Sequence, residues 1–221
     1  MLITDLIPKG KRQTVVWLDG TSAGFLDNRD VSAYRLEAGS EITEAAWQKI
    51  VQETILPRGK RKALELLQLQ DRTTKELHDK LIAGDYTEEQ TWDIIAYVTS
   101  FRYIDEQRYA VNYFRAHAKS KSYREMQQVL LSRGVEQDTV AAAYEQFMKD
   151  NSGANPEEDD VGSPEVLAVR RYVGGRVRGT VMTAEQRRKV LAGLMRKGFS
   201  YDAIRCVLSG YTTEEPVGED E

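Results

Sequence analysis

The sequence predicts a mainly helical protein, in which three tandem three-helix repeat units form an elongated array behind a small N-terminal module that contains a β-hairpin. Two observations predict the helices: N-terminal capping signals recur from residue 57 onward, and apolar residues follow them at helical spacing. A third observation sets residues 1–40 apart, because their β-branched and aromatic run closed by Asp19-Gly20 is typical of strands.

The N-terminal module is expected to span residues 1–56. Residues 15–18 (VVWL) are followed by Asp19-Gly20, the dipeptide that favours a two-residue hairpin turn, and residues 23–26 are the returning strand. Residues 27–36 fit either a short helix or a third strand. From Thr43 the apolar positions indicate a helix.

Helix starts are marked clearly in the rest of the chain. Ser163-Pro164 is a capping residue followed by proline at the first helical position. Three further starts match the capping box, in which Thr caps a free amide and Glu or Gln reaches back. They are Thr73 with Glu76, Thr87 with Gln90, and Thr183 with Gln186.

The apolar pattern repeats. Residues 126–144 and 190–208 carry it at identical spacing around Gly134 and Gly198, and residues 77–95 fit with Gly84 one place early. Each copy reads as helix, glycine-terminated turn and helix, and a further helix precedes it. The predicted units are residues 57–104, 105–150 and 164–211, each too small to bury a core without its neighbours. Residues 151–163 are predicted to be an acidic flexible linker, and residues 212–221 an acidic disordered tail.

Composition excludes several classes of protein. With 41% hydrophobic and 30% charged residues, the chain has no apolar run near the roughly 20 residues of a membrane span, and it begins without an export signal. Cys206 is the only cysteine, which favours the reducing cytoplasm. His78 and His117 are isolated, and the glycines of residues 174–179 lack P-loop spacing. We therefore expect no metal, no cofactor and no enzymatic activity.

Basic surface is the remaining candidate for function. The net charge of −4 hides two windows without acids, residues 107–124 and 166–184, and residues 165–210 carry ten basic against three acidic residues. Such segregation indicates an anionic partner, although charge on helix surfaces also serves solubility alone. The candidate partner-binding residues are Arg72, Lys75, Arg102, Arg108, Arg115, Lys119, Lys121, Arg124, Arg170, Arg171, Arg187 and Arg188.

Residues 100–110, SFRYIDEQRYA, lie at the joint between the first two units. Asp105 is the expected N-cap of the next helix, and Ile104 and Tyr109 occupy the positions of a hydrophobic staple. The paired carboxylates of Asp105 and Glu106 have no histidine, cysteine or further acid at catalytic spacing. The stretch is therefore predicted to organise the fold.

The same stretch resembles a family signature. Residues 103–110, YIDEQRYA, are similar to the Tyr-Leu/Ile-Asp-Asp/Glu-x-x-Phe/Tyr-Ala motif of RecX, the family of bacterial regulators of the recombinase RecA. Residues 72–81 and 197–204 agree with it, and the resemblance covers about residues 58–210. The chain departs from the family at Lys121-Ser122, where the second unit usually has Lys-Gly.

The resemblance implies a non-enzymatic regulator, a monomer that binds along the groove of the RecA filament on DNA and inhibits strand exchange and ATP turnover. The basic windows would then face either the filament or single- or double-stranded DNA. Two alternatives stay open: a helical DNA-binding protein that acts without RecA, and a scaffold with no nucleic-acid role.

Overall fold

A computed structural model of the protein describes residues 1–151 and 163–214. The chain divides into two compact units, Met1–Asp105 and the residues from Glu106 onward. Helices predominate in both units, and a three-stranded antiparallel sheet lies at the N-terminus. The predicted fold class, mainly helical with a small N-terminal β module, is confirmed.

The sheet contains the predicted hairpin and one strand more. Its strands are β1 (Ile3–Lys9), β2 (Gln13–Leu18) and β3 (Thr21–Asp27), in that order. Between β2 and β3, Asp19 and Gly20 have φ values of 48° and 82°, as a type I′ turn requires. Strand β1 was not predicted, because it is an edge strand with most side chains exposed and contains Pro8.

The helices of the first unit begin directly after the sheet. They are α1 (Asn28–Ala33), α2 (Glu44–Ile50), a π-helical turn (Val51–Ile55), α3 (Leu56–Leu69), α4 (Thr74–Ile82) and α5 (Glu88–Ser100). Of the two alternatives for residues 27–36, the structure therefore has the helix. The chain stays helical across the border predicted between residues 56 and 57. Pro57 lacks an amide hydrogen and would clash within a regular α-helix, and the wider π turn before it accommodates the ring.

The N-terminal module and the first three-helix unit share one core. Buried residues from the sheet, such as Val16 and Leu26, belong to the same apolar cluster as Trp47, Leu77 and Ile94 from the helices. The capping boxes at Thr73 and Thr87 are both formed and fix the starts of α4 and α5.

The second unit holds two further three-helix sets. The first comprises α6 (Glu106–His117), α7 (Tyr123–Ser132) and α8 (Gln137–Asn151). The second comprises α9 (Pro164–Gly174), β4 (Val181–Thr183), α10 (Ala184–Lys197), α11 (Tyr201–Leu208) and β5 (Thr212–Glu214). Each set buries an apolar cluster of its own, contrary to the expectation that a unit needs its neighbours for a core. Aromatic side chains make this feasible in the first set, where the ring of Phe114 lies 5.2 Å from Tyr144 and 6.0 Å from Phe147.

The turns follow the predicted repeat with one difference. Gly134 and Gly198 have left-handed φ values of 86° and 81° after α7 and α10. In the first unit Asp85, not Gly84, is the left-handed residue, with φ 65°. Aspartate tolerates this conformation because its short side chain bonds locally.

The C-terminal residues differ from the predicted disordered tail. Strand β5 pairs in parallel with β4, with Thr213 opposite the buried Met182. Residues 152–162 of the predicted linker and residues 215–221 of the predicted tail lie outside the described residues. In the part of the chain that is described, no helix has both the length and the apolar character that crossing a membrane requires.

Candidate partner-binding surfaces

Most of the predicted binding cations lie on the surface. The exposed residues are Lys75, Arg102, Arg108, Arg115, Lys119, Arg124, Arg170, Arg171 and Arg188. Arg72, Lys121 and Arg187 are only half exposed. The two groups differ in what their charged atoms contact.

The half-exposed cations bond within the fold. Arg72 donates from Nε to the carbonyl oxygen of Leu66 at 3.3 Å. Arg187 donates to the carbonyl oxygen of Tyr211 at 3.3 Å. Lys121 donates from Nζ to the Tyr113 hydroxyl at 2.9 Å and lies over its ring. These side chains therefore tie elements together, and their charges are less available to a partner.

Among the exposed cations, Arg115 is paired and Lys119 and Arg124 point outward. The guanidinium of Arg115 lies 2.6 Å from the carboxylate of Asp150. Arg115 is in the last turn of α6, and Asp150 is near the C-terminal end of α8, which packs against α6. Lys119 lies in the turn after α6, which ends at His117, and Arg124 lies in the first turn of α7. We call Lys119 and Arg124 the α6–α7 cations.

The start of α7 is anchored to the end of α10. The Ser122 side chain is fully buried, accepts a hydrogen bond from the Glu125 amide at 3.1 Å, and donates to the Lys197 carbonyl at 2.5 Å. Glu125 in turn pairs with the Lys197 ammonium at 2.5 Å. The amide end of one helix thus meets the carbonyl end of another, where the partial charges are opposite. Ser122 with Glu125 is a capping box that was not predicted, although its spacing matches the other three.

Gly198 extends the same joint. A Cβ atom at this position would lie 2.7 Å from Cδ and 2.9 Å from Cβ of Arg124, so the aliphatic part of Arg124 occupies the space that the glycine leaves. This contact holds the stem of Arg124 in place while its guanidinium stays exposed. A rigidly held cation loses less conformational entropy when it binds.

The predicted cap and staple lie at the boundary of the two compact units. Asp105 directly precedes α6, in the position of an N-cap. Ile104 packs against the core of the first unit, and Tyr109 is buried in the cluster of α6, α7 and α8. The capping bond of Asp105 and the pairing of Ile104 with Tyr109 remain predictions.

An exposed aromatic cluster at the end of α5 was not predicted. Phe101 and Tyr103 are 59% and 50% exposed, and the Phe101 ring lies 5.1 Å from that of Tyr97. Arg102 lies between them with a left-handed φ of 56°, and the Lys60 ammonium lies 4.6 Å from the Tyr97 ring. The sequence signal was the spacing of Tyr97 and Phe101, four residues apart on one helix face.

Local contacts shift the pKa values of several titratable groups. Burial, assisted by the charges of Lys121 and Arg133, lowers the pKa of His117 below its usual value. Hydrogen bonds from His78 and Trp92 lower the pKa of Glu88. Within residues 1–151 and 163–214, no three His, Cys, Asp or Glu side chains come together in a way that would hold a metal ion.

The comparisons with known proteins agree on one family. A model described as the third three-helix domain of RecX matches residues 175–208, which run from the residue after α9 to the end of α11. The chain is 24% identical over 201 residues to the regulatory protein RecX of Oceanobacillus iheyensis, covering 89% of this chain and 69% of that protein. It is 26% identical over 208 residues to the regulatory protein RecX of Levilactobacillus brevis, covering 93% and 73%. All of these comparisons support the RecX family.

Solved RecX structures have the same fold. A crystal structure of regulatory protein RecX superposes with a TM-score of 0.59 at 22% identity and covers 95% of this chain and 100% of its own. The RecX of Lactobacillus salivarius gives a TM-score of 0.52 at 22% identity and covers 70% of this chain and 94% of its own. Ser122 stands where the RecX motif has glycine, and its buried side chain makes two hydrogen bonds that a glycine could not make.

Proposed function

We propose that this protein regulates the recombinase RecA by binding the RecA–DNA filament as a monomer in the cytoplasm, and that it thereby limits ATP hydrolysis and strand exchange. Its relatives are regulatory proteins of the RecX family. It would act by binding and not by catalysis.

The observation that carries the proposal is the exposed pair Lys119 and Arg124 on a joint fixed by buried bonds. Ser122, which lies between them in sequence, is fully buried and bonded to Lys197. Binding residues are most effective when their backbone is rigid, because the geometry is then set before the partner arrives. The filament surface and its DNA are both anionic candidates for these two charges.

The test is inhibition of the DNA-dependent ATPase of RecA by the variant Lys119→Glu/Arg124→Glu. Lys121 is left unchanged, because its bond to Tyr113 supports the fold. Glutamate keeps the Cβ and Cγ atoms of Arg124 that contact the region of Gly198. Exposed charges contribute on the order of 0–1 kcal/mol to stability, so melting should be nearly unchanged while inhibition is lost.

The matched control is Lys149→Glu/Arg196→Glu, which reverses two other exposed cations of the same compact unit. The control should inhibit as the wild type does. Equal inhibition by both variants would show that the α6–α7 cations only solvate the surface, and Arg170, Arg171 and Arg188 would be tested next. DNA binding without any effect on RecA would favour the alternative of a DNA-binding protein that acts independently.

A further inference from the structure

We propose that the turn between β1 and β2, together with the start of α1, is a contact site for the phosphate backbone of nucleic acid. An open cleft of about 910 Å³ lies here and is lined by Lys9, Lys11, Arg12, Gln13, Asp27, Asn28 and Arg29. We call it the hairpin cleft. It is formed within the first compact unit, and it is independent of the α6–α7 cations and of the proposed action on RecA.

The cations of the hairpin cleft are available to a ligand. Lys11, Arg12 and Arg29 are exposed, and none of the ion pairs among the described residues involves them. Lys9 differs, because its ammonium pairs with Asp85 and lies 5.9 Å from the Phe25 ring. Three positive charges therefore face the cleft without a carboxylate partner in this part of the chain.

The acids of the sheet and of the first turn of α1 are paired or lie away from the cleft. Asp27 and Asp30 both pair with Arg58, at 3.2 Å and 2.5 Å. Asp19 lies at the opposite end of the hairpin, where its carboxylate accepts a hydrogen bond from the Leu2 amide. Asp5 precedes Lys9 by four residues of β1, a separation of about 13 Å along an extended strand. Arg58 cancels one of the charges of Asp27 and Asp30, so the three cations Lys11, Arg12 and Arg29 outnumber the one negative charge that remains there, and the potential at the cleft is positive.

Hydrogen bonds hold the cations in a fixed arrangement. The Asn28 amide donates to the Arg12 carbonyl at 2.8 Å, and its side chain donates to the Lys11 carbonyl at 3.4 Å. The Asn28 side-chain oxygen accepts from the Thr14 hydroxyl at 2.9 Å. The turn that carries Lys11 and Arg12 is thus tied to the first turn of α1, which carries Arg29.

The lining indicates the class of partner. Its side chains are charged or amide groups, whereas small-molecule pockets are mostly apolar and protein interfaces depend on aromatic or aliphatic anchors. Lys, Arg and side-chain amides are the groups that contact phosphates along a nucleic-acid backbone. The backbone of DNA or RNA therefore fits this cleft better than a small ligand or a peptide.

The experiment compares the full-length variant Lys11→Ala/Arg12→Ala/Arg29→Ala with Lys49→Ala/Lys62→Ala/Lys80→Ala. The control removes the same charge from exposed lysines of the same unit that do not line the cleft. Anisotropy of a labelled random-sequence DNA duplex, without RecA, gives the binding constant at a series of NaCl concentrations. The logarithm of the binding constant falls with the logarithm of the salt concentration. Each phosphate contact that is lost makes this slope less steep by about 0.9 for duplex DNA and about 0.7 for single strands.

The cleft variant should therefore lose about two to three units of slope on duplex DNA, and the control should keep the wild-type slope. The single variant Arg29→Gln, with an expected loss of about 0.9, gives the same test if the triple variant does not fold. Equal slopes for cleft and control variants overturn the proposal. The proposal is also overturned if the cleft variant loses binding to polyglutamate as strongly as it loses binding to DNA, because the cleft would then fit an acidic protein. Because the assay contains no RecA, either result leaves the proposed regulation of RecA to its own test.

Discussion

The hydroxyl of Ser122 donates a hydrogen bond to the main-chain carbonyl of Lys197, which lies 75 residues further along the chain. The same oxygen accepts the Glu125 amide that caps α7. One buried side chain therefore satisfies a free amide of one helix and a free carbonyl of another. The two three-helix sets of the second unit are joined through these bonds.

Ser122→Ala should lower the free energy of unfolding. Loss of an N-cap costs about 0.5–2 kcal/mol, and the Lys197 carbonyl also loses its partner. Urea denaturation measures the change, with Ser120→Ala as the control because Ser120 is exposed. Ser122→Gly should cost less than Ser122→Ala, since glycine is a tolerated N-cap. A Ser122→Ala protein as stable as the control would show that the joint contributes nothing.

Gly198→Ala should destabilise the same joint. Gly198 has a φ of 81°, and an added Cβ would lie 2.7 Å from Cδ of Arg124. We therefore expect the free energy of unfolding to fall by more than about 1 kcal/mol. Gly174 is the comparison, because it ends α9 with nothing within 4 Å of an added Cβ. Gly174→Ala should be neutral or stabilise by up to about 1 kcal/mol. The thermal unfolding temperature should therefore fall for Gly198→Ala and stay unchanged or rise for Gly174→Ala, and a similar fall in both variants would contradict the prediction.

Gly59→Ala should weaken the contact between α3 and α5. Gly59 is buried, and an added Cβ would overlap Cδ1 of Ile94. Overpacking of this kind typically costs about 1–3 kcal/mol. Ile94→Val removes the overlapping methyl group, so the double variant should be more stable than the sum of the single changes predicts. Additive changes in a double-mutant cycle would mean that the two side chains do not compete for this space.

Stability should fall in mildly acidic solution because of His117. Burial and the charges of Lys121 and Arg133 lower its pKa in the folded state below the usual value of 6.5. As the pH falls below that value, the unfolded chain binds a proton before the folded one does, so stability is lost until the folded pKa is passed. The loss between about pH 7.5 and about pH 5.5 should be smaller in His117→Gln than in the wild type. Urea midpoints at both pH values measure this, and equal losses in both proteins would contradict it.

Local features of the fold were predictable because they depend on residues only a few positions apart. The capping boxes at Thr73, Thr87 and Thr183 close hydrogen bonds over three residues. The Asp19-Gly20 turn and the left-handed Gly198 likewise follow from the conformations that these residues allow. Most of the candidate cations are exposed, and their role in binding stays a prediction.

Tertiary structure decided which of those charges remain available. Lys121 bonds to the Tyr113 hydroxyl and Arg187 to the Tyr211 backbone carbonyl, and no spacing rule predicts either pairing. The tertiary structure also pairs β5 with β4. Asp27 and Asp30 form ion pairs with Arg58, and Arg29 has no ion pair within the described part of the chain. The sequence alone determined the starts of α4, α5 and α10, because a capping bond forms within one helical turn. The partner of a charge depends on which distant segments the packed cores bring within hydrogen-bond distance, and only the folded chain determines that.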